Sequence, residues 1–357
     1  MDDPGTPPNS GFFALDPADP LAAAPDHLDE LSMRWLHWWG PATFFGAEHR
    51  PDPAGLDIGV LGVPHSTGNG STQRDQHLGP RAIRDVSSTL GLGMHPQLHV
   101  NPFESCRIAD VGDVLMREFM VSDRAILDIE RRAREIVDAG ARLASVGGDH
   151  SITLPLLRAL GRSPSTPAPP MALVHLDSHQ DDYHDVMPEH WFGVRYSAGH
   201  WASWGAREGL VDPGSSLQIG MRGRVWDGTS PASLVGYQVI DRDEFDELGV
   251  ERVVELIRER VGDRPIYVSF DLDVLDTAAA PAASNLEPGE EGLSMREALR
   301  TLRGLHGLEV IGADVVCYVP TKEPPNKITG LNASAVLFEL LCLISEGVRN
   351  GRQESGR

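Results

Sequence analysis

Apolar and polar positions form two kinds of segment along the chain, and each kind predicts a different element. Strand-length apolar runs occur at 57–63, 142–146, 171–176, 217–221, 237–240, 265–270 and 308–316. The remaining pattern predicts a helix that opens at Pro80 and further helices over 124–139, 152–160, 251–261, 294–302 and 333–348, with a long aromatic loop after Asp181. Ser294 and Glu297 predict a capping box at the start of the helix over 294–302. Strands that alternate with helices predict an α/β fold, a three-layer α/β/α sandwich around a mainly parallel sheet.

The strand predicted at 171–176 runs directly into a polar stretch. Asp177, His179 and Asp181 alternate there, so an extended backbone projects all three side chains to the same side. Two carboxylates and one imidazole on one face suit a divalent metal ion. For this motif taken alone, a solvated polar loop is an equally good interpretation.

Two other predicted strands also end in polar residues. His150 lies in the stretch 146–151, after the run at 142–146, and Asp271 and Asp273 follow the run at 265–270. Ligands of open parallel sheets bind outside the carboxyl ends of the strands, so we expect the three strand ends to meet. Together they would supply six ligands, four of them carboxylates. One dication does not need four carboxylates, so the set predicts a hydrolytic centre with two ions.

The motifs G-G-D-H-S, D-x-H-x-D and S-F-D-x-D-x-x-D, in this order and spacing, resemble those of the ureohydrolase family, which includes arginase and agmatinase. The resemblance spans about residues 57–344, and the stretches 62–64, 79–84 and 208–213 are similar to the agmatinase branch. It implies an enzyme that cleaves a C–N bond of a guanidino compound and releases urea and an amine. It also implies two divalent metal ions; Mn²⁺ is the first candidate for both and Ni²⁺ the alternative.

The resemblance implies a role for each motif residue. The implied metal ligands are His150, Asp177, His179, Asp181, Asp271 and Asp273, and the implied catalytic residues are His200, Asp273 and Asp181. Asp149 would orient a ligand. His200 would be the proton shuttle, although its spacing to Asp212 is about two residues shorter than in agmatinases. The alternative is a surface-loop histidine, and His184 and His190 are weaker candidates for the shuttle.

The main departure from the family is Cys317, which stands where relatives carry the glutamate that holds the guanidinium. A thiol cannot offer a guanidinium a bidentate pair of acceptors. Either a nearby carboxylate replaces it, from Glu287, Glu290 or Glu291, or aromatic faces bind the cation, from Trp191, Trp201 or Trp204. We therefore take Cys317, Trp201, Trp204 and Glu287 as candidate substrate contacts. Residues 283–285 also depart from the Gly-Thr-Gly run that is frequent in relatives.

These departures leave the substrate open. Agmatine is the default, and guanidinobutyrate, free guanidine or a specialised guanidino metabolite are the other candidates. Because Cys317 lacks two acceptor oxygens, we expect poor activity on agmatine and arginine. One alternative is a formimino or amidine hydrolase that uses the same metals. Another is a non-catalytic homologue, which the six ligands argue against and the missing glutamate supports.

Composition narrows the class of partner. The chain has 357 residues, 41% of them apolar, and a formal net charge of −21. That charge argues against nucleic acid and anionic membranes as partners and suits a small cationic guanidino substrate, although it can equally serve solubility. Three widely spaced cysteines fit a reducing cytosol. Without a signal peptide or transmembrane run, we expect a cytoplasmic protein.

The organisation along the chain is predicted in three parts. Residues 1–55 form an N-terminal extension, partly a mobile arm, with a helix over 28–39. Its tryptophans favour packing or an oligomer contact over a ligand box. Residues 56–349 form the catalytic domain and 350–357 a tail. The family resemblance implies a homo-oligomer, a trimer or a hexamer.

Overall fold

The computed structural model describes residues 40–69, 74–88, 90, 93–166, 170–183, 193–223, 235–289 and 291–355. The strands of the described residues are β1 Glu48–His49, β2 Ile58–Val63, β3 Ile108–Asp113, β4 Arg142–Gly147, β5 Ala172–Leu176, β6 Leu217–Met221, β7 Gln238–Asp241, β8 Ile266–Asp271 and β9 Val310–Val316. They form one sheet in the order β1-β3-β2-β4-β9-β8-β5-β6-β7, and all neighbouring strands are parallel.

The central strands are buried along their whole length, which is why they read as continuous apolar runs. The predicted strands and the predicted parallel sheet are confirmed. The sequence analysis did not predict β3, because Asp110 interrupts its apolar run. Asp110 is buried there and accepts two hydrogen bonds from Arg84, at 2.7 and 2.9 Å, so its charge is paired inside the protein.

The described helices are α1 Gly79–Ser87, α2 Pro102–Ser105, α3 Ser122–Asp138, α4 Thr153–Gly161, α5 Trp201–Arg207, α6 Arg242–Val261, α7 Met295–Arg303 and α8 Ile328–Ser355. The predicted capping box of α7 is confirmed, with Ser294 and Glu297 bonded reciprocally. Helix α6 begins at Arg242, where Asp241 caps it, and is interrupted at Gly249, whose backbone is not helical; the predicted helix over 251–261 matches its second part. One predicted start was wrong: α8 begins at Ile328. The stretch after Asp181, predicted as one long loop, contains α5.

Apolar side chains pack in two clusters, one on each face of the sheet. Leu173 belongs to one cluster and Val174 to the other, as the period of two along β5 requires. Helices α6, α7 and α8 cover one face, and α3, α4 and α5 cover the other. The predicted α/β/α layering is therefore confirmed.

The segment Ile328–Gly351 of α8 is long and apolar enough to cross a membrane by length and composition alone, with a mean hydropathy of 1.7. Of that apolar window, 72% is buried inside the protein. Leu337, Leu340 and Ile344 belong to the core cluster on one face of the sheet. Packing against the sheet therefore accounts for the apolar character of this helix.

Some predictions fall outside the described residues. These are the tryptophan-rich helix over 28–39 and the candidates His184, His190, Trp191 and Glu290.

The sheet order decides which strand ends can share a ligand. Strands β4, β9, β8 and β5 are consecutive neighbours at the centre of the sheet, although they are far apart in sequence. Their carboxyl ends open at one edge, which is where open α/β sheets bind ligands. The loops that follow these four strands therefore converge on one place.

Candidate active site

The turn after β4 presents His150. Residues His150–Ile152 form a single 3₁₀ turn, and Asp149 caps it by accepting a hydrogen bond of 3.1 Å from the backbone of Ser151. The other oxygen of Asp149 accepts from the backbone of Gly68 at 2.8 Å and of Asn69 at 2.9 Å. Asp149 thereby joins this turn to the loop after β2 and orients His150, as the sequence suggested.

His150 faces three carboxylates. Its Nδ1 lies 3.0 Å from Oδ2 of Asp177, 3.0 Å from Oδ2 of Asp181 and 3.1 Å from Oδ2 of Asp271. Within the described residues this buried nitrogen nevertheless makes no well-directed hydrogen bond. Burial lowers the pKa of His150, but the contacts with the three carboxylates outweigh it and raise that pKa well above its usual value. One nitrogen encircled by carboxylate oxygens is a donor set that suits a divalent cation.

A buried hydrogen-bond chain decides which nitrogen of His150 faces the carboxylates. Asp314 accepts from Oγ of Ser269 at 2.7 Å, from the hydroxyl of Tyr267 at 2.7 Å and from Oγ1 of Thr153 at 2.9 Å. Ser269 gives its single proton to Asp314, so it must accept from Nε2 of His150, 2.8 Å away. In the neutral ring, the form that binds a metal ion, Nε2 would therefore carry the proton and Nδ1 would offer its lone pair to the ion.

A second group of donors lies beside the first. Nδ1 of His179 is 3.1 Å from Oδ2 of Asp273 and 3.4 Å from Oδ1 of Asp177. Oδ1 of Asp273 accepts from the backbone and hydroxyl of Ser178, at 3.1 and 2.7 Å. Its Oδ2 is buried without a hydrogen-bond partner among the described residues. Asp177 thus belongs to both groups, with one oxygen directed toward each.

The geometry fits two divalent ions. The potential ligand atoms of His150, Asp177 and Asp181 lie within 4.8 Å of one another, as do those of Asp177, His179 and Asp273, and Asp271 is within the same distance of His150. Two ligands on one ion, each about 2.0–2.2 Å from it, are at most about 4.4 Å apart, so small adjustments suffice. Burial and the charges of Asp273 and Asp177 raise the pKa of Asp271 well above its usual value. Burial also opposes the ionisation of Asp177, but contacts with three histidines hold its pKa well below the usual range.

The sequence analysis missed His175. It is buried on β5, and its Nε2 lies 2.8 Å from Oδ2 of Asp177, within the donor group of His150. A signal was present, because His175 continues the alternation of Asp177, His179 and Asp181 one step upstream. It was overlooked because it stands inside an otherwise apolar strand.

The two candidate tryptophans occupy different environments. Trp201 is fully buried; its ring centroid lies 4.8 Å from that of His150, and its Nε1 donates to Asp181 at 2.9 Å. It therefore supports two members of the first group and has no exposed face. Trp204 is half-buried, with the guanidinium of Arg195 5.1 Å from its ring centroid. Contact of either tryptophan with the substrate stays a prediction.

His200 and Glu287 both lie at the site. His200 is fully buried at the end of the 3₁₀ turn Ala198–His200, and its Nδ1 is 2.7 Å from Oγ of Ser197. This turn packs against the turn of His150, so the alternative of a surface-loop histidine was wrong. Oε1 of Glu287 lies 3.0 Å from Nε2 of His179, which places this carboxylate beside the second group.

Cys317 follows β9 and lies beside the first group. Its sulfur, a ring nitrogen of His150 and a carboxylate oxygen of Asp271 lie within 4.8 Å of one another. Burial, followed by the charges of Asp271 and Asp273, raises the pKa of the thiol well above its usual value. The predicted contact of Cys317 with the substrate stays a prediction.

A cavity of about 410 Å³ opens next to His179. Gly223 lines it, and a Cβ atom on this glycine would come within 2.9 Å of Cδ2 of His179. The charged residues in its described lining are Arg222, Asp241, Arg242 and Asp243. The described wall thus carries both signs of charge.

Comparison with known proteins places these residues in a family. Residues 56–342 match the arginase family. A guanidinopropionase from Pseudomonas aeruginosa is 38% identical over 328 residues, covering 90% of this chain and 97% of that protein. A proclavaminate amidinohydrolase from Streptomyces clavuligerus is 36% identical over 305 residues, which cover 84% of this chain and 91% of that protein.

Solved structures show the same fold. The proclavaminate amidino hydrolase of Streptomyces clavuligerus superimposes with a TM-score of 0.78 at 34% identity, over 87% of this chain and 99% of that one. A hypothetical agmatinase from Burkholderia thailandensis gives a TM-score of 0.78 at 32% identity, over 88% of this chain and 93% of that one. The predicted family and sandwich fold are confirmed.

Proposed function

The chain belongs to the arginase family and is a metal-dependent hydrolase of C–N bonds in guanidino compounds, and on that premise we propose how its residues divide the work. One divalent ion would be held by His150, Asp177, Asp181 and Asp271, and the other by Asp177, His179 and Asp273. The observation that carries this assignment is the position of Asp177, which belongs to both donor groups. A shared carboxylate is how two ions are held side by side.

The bound pair of ions would supply a water of lowered pKa and stabilise the negative charge that develops at the guanidinium carbon. The protein would supply orientation and proton transfer. Ser269 and Asp314 fix the ring of His150, Trp201 holds Asp181, and Ser178 holds Asp273. Nδ1 of His200 contacts Ser197, so we assign delivery of a proton to the leaving amine to its Nε2.

We propose Mn²⁺ as the physiological metal ion, with Ni²⁺ as the second candidate. The assigned ligands are four carboxylates and two imidazoles, and carboxylate-rich sites suit Mn²⁺. The sulfur of Cys317 also lies next to the first donor group.

For the substrate, we propose a small guanidino acid rather than agmatine. Arg222 and Arg242 line the cavity beside His179, together with Asp241 and Asp243. A carboxylate at the far end of the substrate could accept from one of these guanidinium groups. The name of the guanidinopropionase, 38% identical, supports this choice.

We further propose a cytoplasmic homo-oligomer, a trimer or hexamer. The predicted domain bounds need correction: Phe44 is buried in the core and β1 pairs with β3, so the catalytic domain begins before residue 56, and α8 continues to Ser355 through most of the predicted tail at 350–357. Leu115, Phe119 and Met120 are 83%, 59% and 71% exposed on one loop. Large apolar side chains exposed together often mark a protein contact, which supports an oligomer.

Metal analysis and a urea-release screen over guanidino compounds test the function. We expect two divalent ions per wild-type chain, loss of both ions and of urea release in Asp177→Asn, and loss of one ion in Asp273→Asn. Asp57→Asn is the matched control, because this buried carboxylate precedes β2 at the opposite edge of the sheet. Full metal content and full activity in Asp177→Asn would refute the proposal.

A further inference from the structure

Cys317 is delivered to the centre of the site by the sheet itself. Strand β9 lies between β4, which leads to His150, and β8, which ends at Asp271. Asp271 pairs in register with Val316, the residue before Cys317. The sulfur therefore emerges between a histidine and a carboxylate that both belong to the first donor group.

The backbone at Cys317 is held on both sides. Its N–H donates to the carbonyl of Gly148 at 2.8 Å, and its carbonyl accepts from Ser284 at 2.8 Å. Its φ of 72° is in the left-handed region, which residues with a side chain seldom adopt. Such conformations persist where the surrounding structure enforces them, and they cluster at functional sites. The sulfur is thus positioned before any ligand arrives.

The other two cysteines show what an ordinary buried cysteine looks like in this protein. Cys106 and Cys342 are also buried and free, but neither joins a group of potential metal ligands among the described residues. Cys106 contacts the backbone carbonyl of Ser345 at 3.7 Å. Cys106 belongs to the apolar cluster on one face of the sheet and Cys317 to the cluster on the other, so core packing accounts for the burial of both. Cys317 differs in that its sulfur also lies within 4.8 Å of the ligand atoms of His150 and Asp271.

We propose that Cys317 is a metal ligand, completing a mixed sulfur, nitrogen and oxygen site with His150 and Asp271. This inference rests on the proposed dinuclear centre and deepens it. On binding, the thiol releases its proton to solvent and the sulfur takes the ion in its place. Thiolate ligands favour Zn²⁺ and other softer ions, whereas carboxylates suit Mn²⁺. Compared with a site of histidine and carboxylates alone, the first site thereby gains affinity for Zn²⁺, Co²⁺ and Cd²⁺ relative to Mn²⁺, and the site of His179 and Asp273 is unaffected.

Cobalt substitution tests the bond to sulfur directly. The full-length protein is loaded with Co²⁺, and the near-ultraviolet spectrum is recorded for a thiolate-to-cobalt charge-transfer band, which oxygen and nitrogen ligands alone do not give. We expect the band in the wild type and its loss in Cys317→Ala and Cys317→Ser. Cys106→Ala and Cys342→Ala are matched controls that should keep it.

Competition between metals provides a second measurement. In Cys317→Ser the preference for Zn²⁺ over Mn²⁺ should fall by about tenfold or more. Loss of a residue that only supports a metal ligand already costs about tenfold in affinity, so loss of a ligand should cost at least that much.

The outcomes separate this inference from the proposed function. Wild-type protein that holds two Co²⁺ without the band, or a band that persists in Cys317→Ala, overturns the inference and leaves the proposed function intact. Protein that shows the band but releases no urea from any guanidino compound keeps the ligand and overturns the function. Protein that binds no divalent ion overturns both.

Discussion

The hydrogen bonds from His150 to Ser269 and from Ser269 to Asp314 give the sharpest test of how the protein orients His150 for metal binding. Ser269→Ala removes the acceptor for Nε2 of His150, 2.8 Å away, and one of three donors to Asp314. Tyr267 and Thr153 still donate to Asp314, so this buried carboxylate stays solvated by the protein. The imidazole, however, loses the contact that fixes its tautomer and its orientation.

The substitution should weaken both metal binding and folding. Loss of an outer partner of a metal-bound histidine typically costs about 10–100-fold in affinity. At about 1.4 kcal/mol per tenfold, this corresponds to about 1.4–2.8 kcal/mol in the binding free energy. The free energy of unfolding of the metal-free protein should fall by about 1–3 kcal/mol, because two hydrogen bonds with a net value of about 0.5–1.5 kcal/mol each are lost.

Titration with Mn²⁺ at fixed pH, beside denaturant unfolding of the metal-free protein, measures both quantities. Ser334→Ala is the matched control, because Ser334 is buried on α8 and donates only to the carbonyl of Gly330 at 2.8 Å. It should also lose stability, because one hydrogen bond is lost, and keep the wild-type affinity for Mn²⁺. An affinity in Ser269→Ala within about twofold of the wild type would refute the claim that this chain prepares His150.

Three further predictions follow from single contacts. His200→Ala should lower kcat about 10²–10⁴-fold with metal content intact, because general acid–base groups contribute that much; an unchanged kcat would leave His200 a purely structural residue. Cys317→Glu tests the alternative role of this residue as the missing guanidinium contact: in that role the added carboxylate raises kcat/KM for agmatine in a urea-release assay, whereas loss of a metal ligand gives no gain. A wild-type kcat/KM for agmatine above about 10⁴ M⁻¹s⁻¹ would contradict the role as missing contact. Hydrogen bonds from Arg117 lower the pKa of Asp128 to about 2. Asp128→Asn should therefore lower the free energy of unfolding at pH 7. The difference from wild type should shrink as the pH falls from about 4 to about 2, because Arg117 stabilises only the ionised carboxylate of Asp128, which becomes protonated in this range. Denaturant melts across this range measure it, and a difference independent of pH would exclude the ion pair as its source.

Local features of the sequence were enough to predict most elements. Buried parallel strands are apolar on both faces, so runs such as 217–221 and 265–270 were found within a residue of their observed bounds. The capping box at Ser294 depends on residues only three apart, so the sequence alone predicted it as well. Strand β3 was not predicted, because the sequence alone does not show that the charge of Asp110 is paired with Arg84 inside the protein.

The candidate site likewise contains residues that the sequence indicated and residues that only the structure revealed. The three motifs each predicted a donor set, because alternation along an extended chain is local, and the structure brings these six side chains together. Their assignment as ligands remains our proposal. The roles that the sequence did not indicate all depend on neighbours across the sheet: His175 beside Asp177, Trp201 against His150, and Ser269 between His150 and Asp314.

The sequence by itself determined the family, the sandwich and the candidate metal ligands, since these depend on periodicity and motif order. Only the tertiary structure decided that β9 lies between β4 and β8, and hence that Cys317 meets His150 and Asp271. The physical reason is that parallel strands pair across long loops, so neither their order nor their register is fixed by local preferences. A cysteine that reads as a lost substrate contact in the sequence becomes a candidate metal ligand once its neighbours are known.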